Sequence, residues 1–314
     1  MIKYARQDVS QKDMSEVLKV LKSDFLTQGP YIEKFEHKVA EFCKCNYSIA
    51  VNSATSALHL AYLSLGLTKG DRLWTSPITF VSTSNAAIFC GANVDFVDID
   101  SDSFNMSIEA LEIKLEKAKI KNQLPKIIVP VHFGGQSCDM KEISKLSKKY
   151  NFKIVEDASH AIGGKYDQNY IGNCRYSDIC IFSFHPVKII TTGEGGMALT
   201  NKLSIANKIR SLRSHGINKN LKSNISKEKE IWNYKQLYLG YNYRITDIQA
   251  ALGISQLGRI KKIIQKRNSI AKKYDIAFKD LPIISQKIKK NRISSYHLYL
   301  LKIDKKKNKK NKKS

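Results

Sequence analysis

Short apolar runs separated by stretches of helical period dominate the middle of the chain. The segments 72–76, 92–98, 126–132, 153–157 and 178–183 are compact and apolar, and each reads as a strand. Pro130 falls inside the third, where it has no N–H to give to a ladder. Between the strands, Asp139 is placed to cap a helix whose Met140, Ile143 and Leu146 recur at three-residue steps. Thr55 to Leu65 predicts another helix, with Ala57, Leu58, Ala61 and Leu65 on one face. Strands alternating with helices predict an α/β fold with a largely parallel sheet covered on both faces.

The pattern changes near Thr246. Thr246 and Asp247 suit a helix start, followed by Ile248, Ala251, Ile254 and Leu257 at helical intervals. A long basic stretch of helical character follows, and then 295–303 reads as a strand with no companion after it. This divides the chain into a large α/β unit (1–245), a partial C-terminal unit (246–304) and a lysine-rich tail (305–314).

Composition narrows the class. The 314 residues are 42% hydrophobic and 26% charged, within the globular range. No apolar run approaches the ~18 residues of a membrane span, and the first residues lack the apolar stretch of a secretory signal. A cytoplasmic protein with no membrane partner is expected. The net charge of +25, from 53 basic and 28 acidic residues, raises a polyanionic partner. Much of it is a compositional bias, however. The tail is nearly all lysine and asparagine, and elsewhere lysines alternate with Ile, Asn and Ser rather than with stacking aromatics. No nucleic-acid partner is expected. Cysteines 43, 45, 90, 138, 174 and 180 show no zinc-finger spacing, so they read as reduced thiols and no metal is assigned.

Polar residues gather where the predicted strands end: Thr79 and Phe80, His132, Asp157 to His160, and Ser183 to Lys188. Open α/β sheets bind ligands at those carboxyl ends. The Asn52-Ser-Ala-Thr-Ser56 segment is a hydroxyl-rich turn feeding a helix, suited to a phosphate; alone, an N-cap by Ser53 or Thr55 accounts for it better. Asp157 closes an apolar strand, and a carboxylate buried there needs a cation or strong donors. A protonated pyridine nitrogen answers that need, and capping the next helix answers it as well. Lys188 stands between a strand and the turn containing Gly193, Gly195 and Gly196, where a fixed backbone lets a lysine serve as a nucleophile. Asn242 and Arg244 precede a helix and alone are explained by loop and cap chemistry.

Together with Leu26-Thr-Gln-Gly-Pro30, the segments Asn52–Ser56, Glu156-Asp-Ala-Ser-His160 and Ser183-Phe-His-Pro-Val-Lys188 stand in the order and approximate spacing of a known family. From Tyr4 to about Ile303 the chain resembles the DegT/DnrJ/EryC1/StrS family of pyridoxal-phosphate-dependent sugar aminotransferases, of the aspartate aminotransferase-like fold type I. The resemblance implies that Lys188 binds pyridoxal 5'-phosphate covalently and that Asp157 pairs with its ring nitrogen. It places His160 near the ring oxygen, Phe80 against the ring face, and Ala54, Thr55 and Ser183 at the phosphate. Asn242 matches a residue that reaches the neighbouring subunit's cofactor, implying a homodimer. Tyr4, Thr27, Gln28, Gly29, Pro30 and Ser56 are the candidate contacts to a nucleotide sugar. The implied reaction moves an amino group from L-glutamate to C4 of a UDP-linked 4-keto-6-deoxy-N-acetylhexosamine. A lysine at 188, rather than histidine, favours transamination over dehydration.

One departure from the family stands out. Its members continue for roughly another half-domain, while this chain passes into a lysine/asparagine run just after the 295–303 segment. That pattern matches an interrupted reading frame, and unpaired strand edges in the C-terminal unit are expected. An inactive relative that only binds cofactor and a DNA-binding regulator using the tail are the competing readings. The absence of a helix-turn-helix with a basic recognition helix counts against the second.

Overall fold

The computed structural model describes residues 5–218 and 234–304. Tyr4 and the lysine-rich tail lie outside the described residues. The strands begin with β1 (Tyr47–Val51), β2 (Arg72–Thr75), β3 (Asn93–Phe96), β4 (Ile127–Val129) and β5 (Lys153–Asp157). They continue with β6 (Lys165–Tyr166), β7 (Asn169–Tyr170), β8 (Ile179–Ser183), β9 (Gly196–Thr200), β10 (Ile217–Asn218) and β11 (Lys235–Gln236). The last are β12 (Ile283–Ser285), β13 (Arg292–Ile293) and β14 (Leu301–Ile303). The helices are α1 (Gln11–Leu21), α2 (Pro30–Cys43), α3 (Ala54–Ser64), α4 (Ser82–Phe89) and α5 (Ile108–Ile120). They are followed by α6 (Met140–Tyr150), α7 (Leu203–Arg213), α8 (Asp247–Leu257) and α9 (Ile260–Ala277).

A 7-stranded sheet of order β1-β9-β8-β5-β4-β2-β3 forms the centre. Only β9 runs against its neighbours; the others are mutually parallel. Both faces of the sheet are covered, which is why its strands read as apolar runs rather than as alternating ones. In β8, Ile179 and Ile181 pack on the side of α3 and α7, while Cys180 and Phe182 pack on the side of α2 and α8. In β4, Ile127 and Val129 face the first side and Ile128 faces α5 and α6. β4 stops at Val129, immediately before Pro130, whose carbonyl still accepts from the Asp157 N–H. The parallel direction sends the ends of β1, β4, β5 and β8 to one edge of the sheet.

The expected helices form, with one change at a cap. Asp139 occupies the N-cap of α6, yet its side chain makes no cap bond. Its carboxylate instead accepts from Lys289 Nζ at 2.6 Å and from Arg292 at 2.5 Å. Arg292 is buried, and a buried guanidinium demands a carboxylate more strongly than a helix end does.

The strand expected over 295–303 is confined to Leu301–Ile303, and it has a companion upstream, β12. β12 was hidden inside the basic stretch. β13 crosses over to pair with β6, so the C-terminal unit is stitched to the large sheet's surroundings. Residues between β13 and β14 lie on the Gly134–Gly135 turn that follows β4.

α8 packs on α1 and α2, and its Ala250 and Leu257 share a buried cluster with Phe35 and Phe182. Thr246 caps it, with Gln249 returning the bond. The fully buried Asp247 accepts from the Gly29 N–H at 2.8 Å and from the Tyr31 N–H at 2.9 Å. Thus the Thr27–Pro30 turn is fastened to α8 by one carboxylate. Asp247→Ala strands both N–H groups and should cost about 2–4 kcal/mol of unfolding free energy, read from urea denaturation; an unchanged midpoint would contradict this role.

Candidate functional site

The site is built around Asp157, the last residue of β5. It is buried among apolar neighbours, Ala158 and Ala161 following it into the core. Thr83 Oγ1 donates to its Oδ2 at 2.7 Å, and the Ser159 N–H donates to its Oδ1 at 3.2 Å. Thr83 has a single hydroxyl proton, so the 2.7 Å contact with Thr79 Oγ1 is one in which Thr79 donates. A chain of hydroxyls on the loop before α4 and on its first turn therefore holds this carboxylate.

Lys188 sits on the loop between the antiparallel strands β8 and β9. Phe184 N–H to Gly195 O (2.9 Å) and Thr192 N–H to Phe184 O (3.0 Å) pin the loop at its base. Ile189 and Ile190, directly after the lysine, are buried beside Phe184 and Phe35. The backbone is thus fixed while the amine remains free; among the described residues Nζ has no hydrogen-bond partner. Burial pushes its pKa below the usual lysine value, and the Asp157 carboxylate pulls it back up in part. The result is an amine with an enlarged neutral fraction facing a carboxylate.

The Asn52–Ser56 turn closes the opposite side. Ser53 caps α3 by accepting from the Ser56 N–H, leaving the first-turn N–H groups of Ala54 and Thr55 without intrahelical partners. A Cβ on Gly196 would come within 2.4 Å of the Ser53 carbonyl carbon, so glycine alone lets β9 approach this turn. That approach brings the Lys188 loop and the α3 N-terminus into one cavity.

The cavity has a volume of about 640 Å³. Ala54, Thr55, Ser56, Phe80, Asp157, His160, Ser183 and Lys188 all line it. Thr27, Gln28, Gly29 and Pro30 do not; they lie at the N-terminus of α8, where Thr27 bridges Thr246 and Gly29 bonds Asp247. Asn242 is exposed beside the Asn52 turn, outside the lining of its own chain's cavity. His132 is no part of the site. Its Nε2 meets Glu156 at 2.7 Å and its Nδ1 accepts from the Cys138 N–H, a buried structural set. Sequence reasoning missed Thr83, whose one signal was a hydroxyl four residues after Thr79. His185 and Glu194 also line the cavity, with the His185 ring 3.9 Å from the Glu194 carboxylate.

His160 is half-buried at the cavity wall, and its Nδ1 is buried with no partner. Burial first, and then the nearby Lys188 ammonium, push its pKa down to about 4. It is a neutral imidazole at pH 7.

These groups fit pyridoxal phosphate. A free amine, a buried carboxylate opposite it and a hydroxyl-lined helix N-terminus supply one feature each for an aldehyde, a protonated ring nitrogen and a phosphate. The cavity is ample for such a ring with part of a substrate.

A model of the DegT/DnrJ/EryC1/StrS aminotransferase family matches residues 7–313, and the chain belongs to this family. Its relatives include the UDP-4-amino-4,6-dideoxy-N-acetyl-beta-L-altrosamine transaminase of Campylobacter jejuni subsp. jejuni serotype O:23/36 (strain 81-176). That protein is 43% identical over 301 residues, an overlap covering 95% of this chain and 76% of the relative. Spore coat polysaccharide biosynthesis protein SpsC of Bacillus subtilis (strain 168) is 38% identical, with 97% of this chain and 76% of that protein covered. Among solved structures, Helicobacter pylori PseC, an aminotransferase involved in the biosynthesis of pseudoaminic acid, superposes with a TM-score of 0.87 at 33% identity. That match covers 99% of this chain and 80% of PseC.

Thr83→Val removes the hydroxyl that holds Asp157 while keeping the side chain's shape. It should lower stability by about 1–3 kcal/mol, with Thr83→Ser restoring most of the loss in the same denaturation series. Equal stability of the Val variant and the parent would contradict the hydroxyl's hold on the carboxylate.

Proposed function

We propose that the chain is a pyridoxal-phosphate-dependent transaminase that aminates C4 of a UDP-linked 4-keto-6-deoxy-N-acetylhexosamine at the expense of L-glutamate. The product is UDP-4-amino-4,6-dideoxy-N-acetyl-β-L-altrosamine. The observation that carries the chemistry is the unpaired, partly desolvated Lys188 amine beside the buried Asp157. The likeness to the Campylobacter transaminase and to PseC supports the choice of sugar.

When bound, pyridoxal phosphate supplies an electron sink for the carbon that loses and regains a proton. Asp157 would hold the ring nitrogen in its protonated form, while Thr83 and Ser159 hold Asp157. The N–H groups of Ala54 and Thr55 and the Ser183 hydroxyl would take the phosphate. Phe80 would pack on the ring, and His160 would donate to its oxygen. Lys188 Nζ would carry the proton between the two carbons that exchange it, and burial, which lowers its pKa from the usual lysine value, favours the neutral amine that accepts it. The balance closes: glutamate leaves as 2-oxoglutarate, and the sugar's carbonyl becomes an amine. Tyr4, Ser56 and the Thr27–Pro30 turn are the proposed contacts to the nucleotide sugar, the turn reaching it in the cavity of a second subunit.

A homodimer completes this reading. Val81, Ile88 and Phe89 are exposed apolar side chains on α4 and the residue before it, a surface suited to burial by a second copy. Asn242, exposed beside the site, is then free to reach the partner's phosphate. The cytoplasmic location expected from the sequence goes with the same reading.

The test supplies the chain with cofactor, [15N]L-glutamate and the UDP-4-keto sugar, and reads the product by mass spectrometry and NMR. Label on C4 is expected, and Lys188→Ala should abolish it. Label on another carbon, or turnover only of a different nucleotide sugar, would replace the substrate. No transfer to any nucleotide ketosugar by cofactor-loaded protein would overturn the proposal.

A further inference from the structure

His297 lies outside every role assigned above, yet the chain is built to place it. Its ring centroid stands 4.4 Å from that of His160. The Nδ1 atoms of both rings are buried and have no partner, a costly arrangement that calls for a reason. The segment 294–298 that carries His297 is strapped against the Gly134–Gly135 turn, the His160 backbone and α9. Ser295 N–H donates to Gly135 O at 3.1 Å, and Leu298 N–H donates to Gly134 O at 3.3 Å. Ser295 Oγ donates to the backbone carbonyl of His160 itself at 2.7 Å. From α9, Arg267 donates to the carbonyls of Tyr296 (2.9 Å) and His297 (3.3 Å), and Asn268 donates to that of Ser294 at 3.0 Å.

Two backbone features show that this approach is forced. Tyr296 has φ +46°, a left-handed conformation unfavourable for an aromatic residue and held by the bonds just named. A Cβ on Gly135 would meet Ser295 Oγ at 2.4 Å and the His160 carbonyl oxygen at 3.1 Å. Such a convergence fixes the two imidazoles against each other.

We propose that His297 is a positioning residue for the reaction: its imidazole covers the inner face of His160 and excludes water from it, so that His160 meets the ligand as a neutral ring in a fixed orientation. This rests on the aminotransferase reading. With no acceptor near Nδ1, a proton there would be a buried, unsatisfied donor, so the ring proton belongs on Nε2. His160, which lines the cavity, then presents one N–H donor to an oxygen of the ligand. The groups around the pair keep it neutral. Lys188 and His185 face it from the β8–β9 loop and Arg267 from α9, while Asp157 on β5 is the acid that opposes them. Burial lowers the His297 pKa most, and His160 and Lys188 lower it further.

The sign of the pH effect follows. A His160 kept dry stays neutral until the pH falls to about 4. Exposed to water, it should titrate nearer the ordinary histidine value of about 6.5. The experiment follows the absorbance of bound pyridoxal phosphate from pH 5 to 8 in the full chain, alongside the pH dependence of the glutamate half-reaction. The parent and His297→Phe, which keeps the ring's cover but no nitrogen, should show no step in this range that His160→Asn removes. His297→Ala should gain an ionisation near pH 6, with turnover falling severalfold below it. A purely structural role would lower retention or rate at all pH values without moving the profile.

A flat profile in a folded His297→Ala, or the same new step in His297→Phe, would overturn the proposal. Should the Ala variant fail to fold, the parent decides: a step between pH 5 and 8 that disappears in His160→Asn would show His160 to be wet and the proposal wrong, and its absence supports the proposal. Failure of the parent to bind cofactor or react with glutamate would instead count against the aminotransferase reading.

Discussion

The buried Asp157 carboxylate is the constraint around which the rest of the site is arranged. A charge at the end of a central strand is tolerable only with donors on its own oxygens and a cation opposite. Thr83 and Ser159 provide the first, and Lys188 lies on the side of the second. Without those neighbours its oxygens would be buried with no partner, which is costly. The same electrostatics acts on the amine. Burial lowers the pKa of Lys188, and the Asp157 carboxylate opposes part of that shift.

Sheet topology brings these groups together, because parallel strands deliver the ends of β1, β4, β5 and β8 to one edge. Glycines remove the remaining steric obstacles. Gly196 admits β9 to the Ser53–Ala54 backbone, and Gly135 admits the C-terminal strap to the His160 backbone. The C-terminal unit is thereby packed against the backbone of His160, which lines the cavity. Asp139 binds it through Lys289 and Arg292, β13 pairs with β6, and Arg267 holds the strap from α9.

Much of this was legible along the chain, for a physical reason. Strands buried on both faces leave unbroken apolar runs, and the loops after them must carry whatever polar residues the site needs. Asp157, Lys188 and the Asn52 turn stand out for that reason, as does the helix starting at Thr246. The contacts that stayed hidden are non-local. Nothing near Thr83, on α4, announces that its hydroxyl meets a carboxylate at the end of β5, and nothing near Asp139 announces two cations from the C-terminal unit. His297 sits in a run whose apolar character reads as strand, whereas its backbone is set by hydrogen bonds to distant carbonyls. His132 misled in the opposite direction, being a polar residue at a strand end whose partners are all structural.

The most direct test of this account is an absorbance spectrum of the purified 314-residue chain with pyridoxal phosphate, before and after L-glutamate. The account predicts a visible band from cofactor joined to Lys188, which moves toward the spectrum of pyridoxamine phosphate as glutamate is consumed. A folded, dimer-sized protein that forms no such band would contradict it.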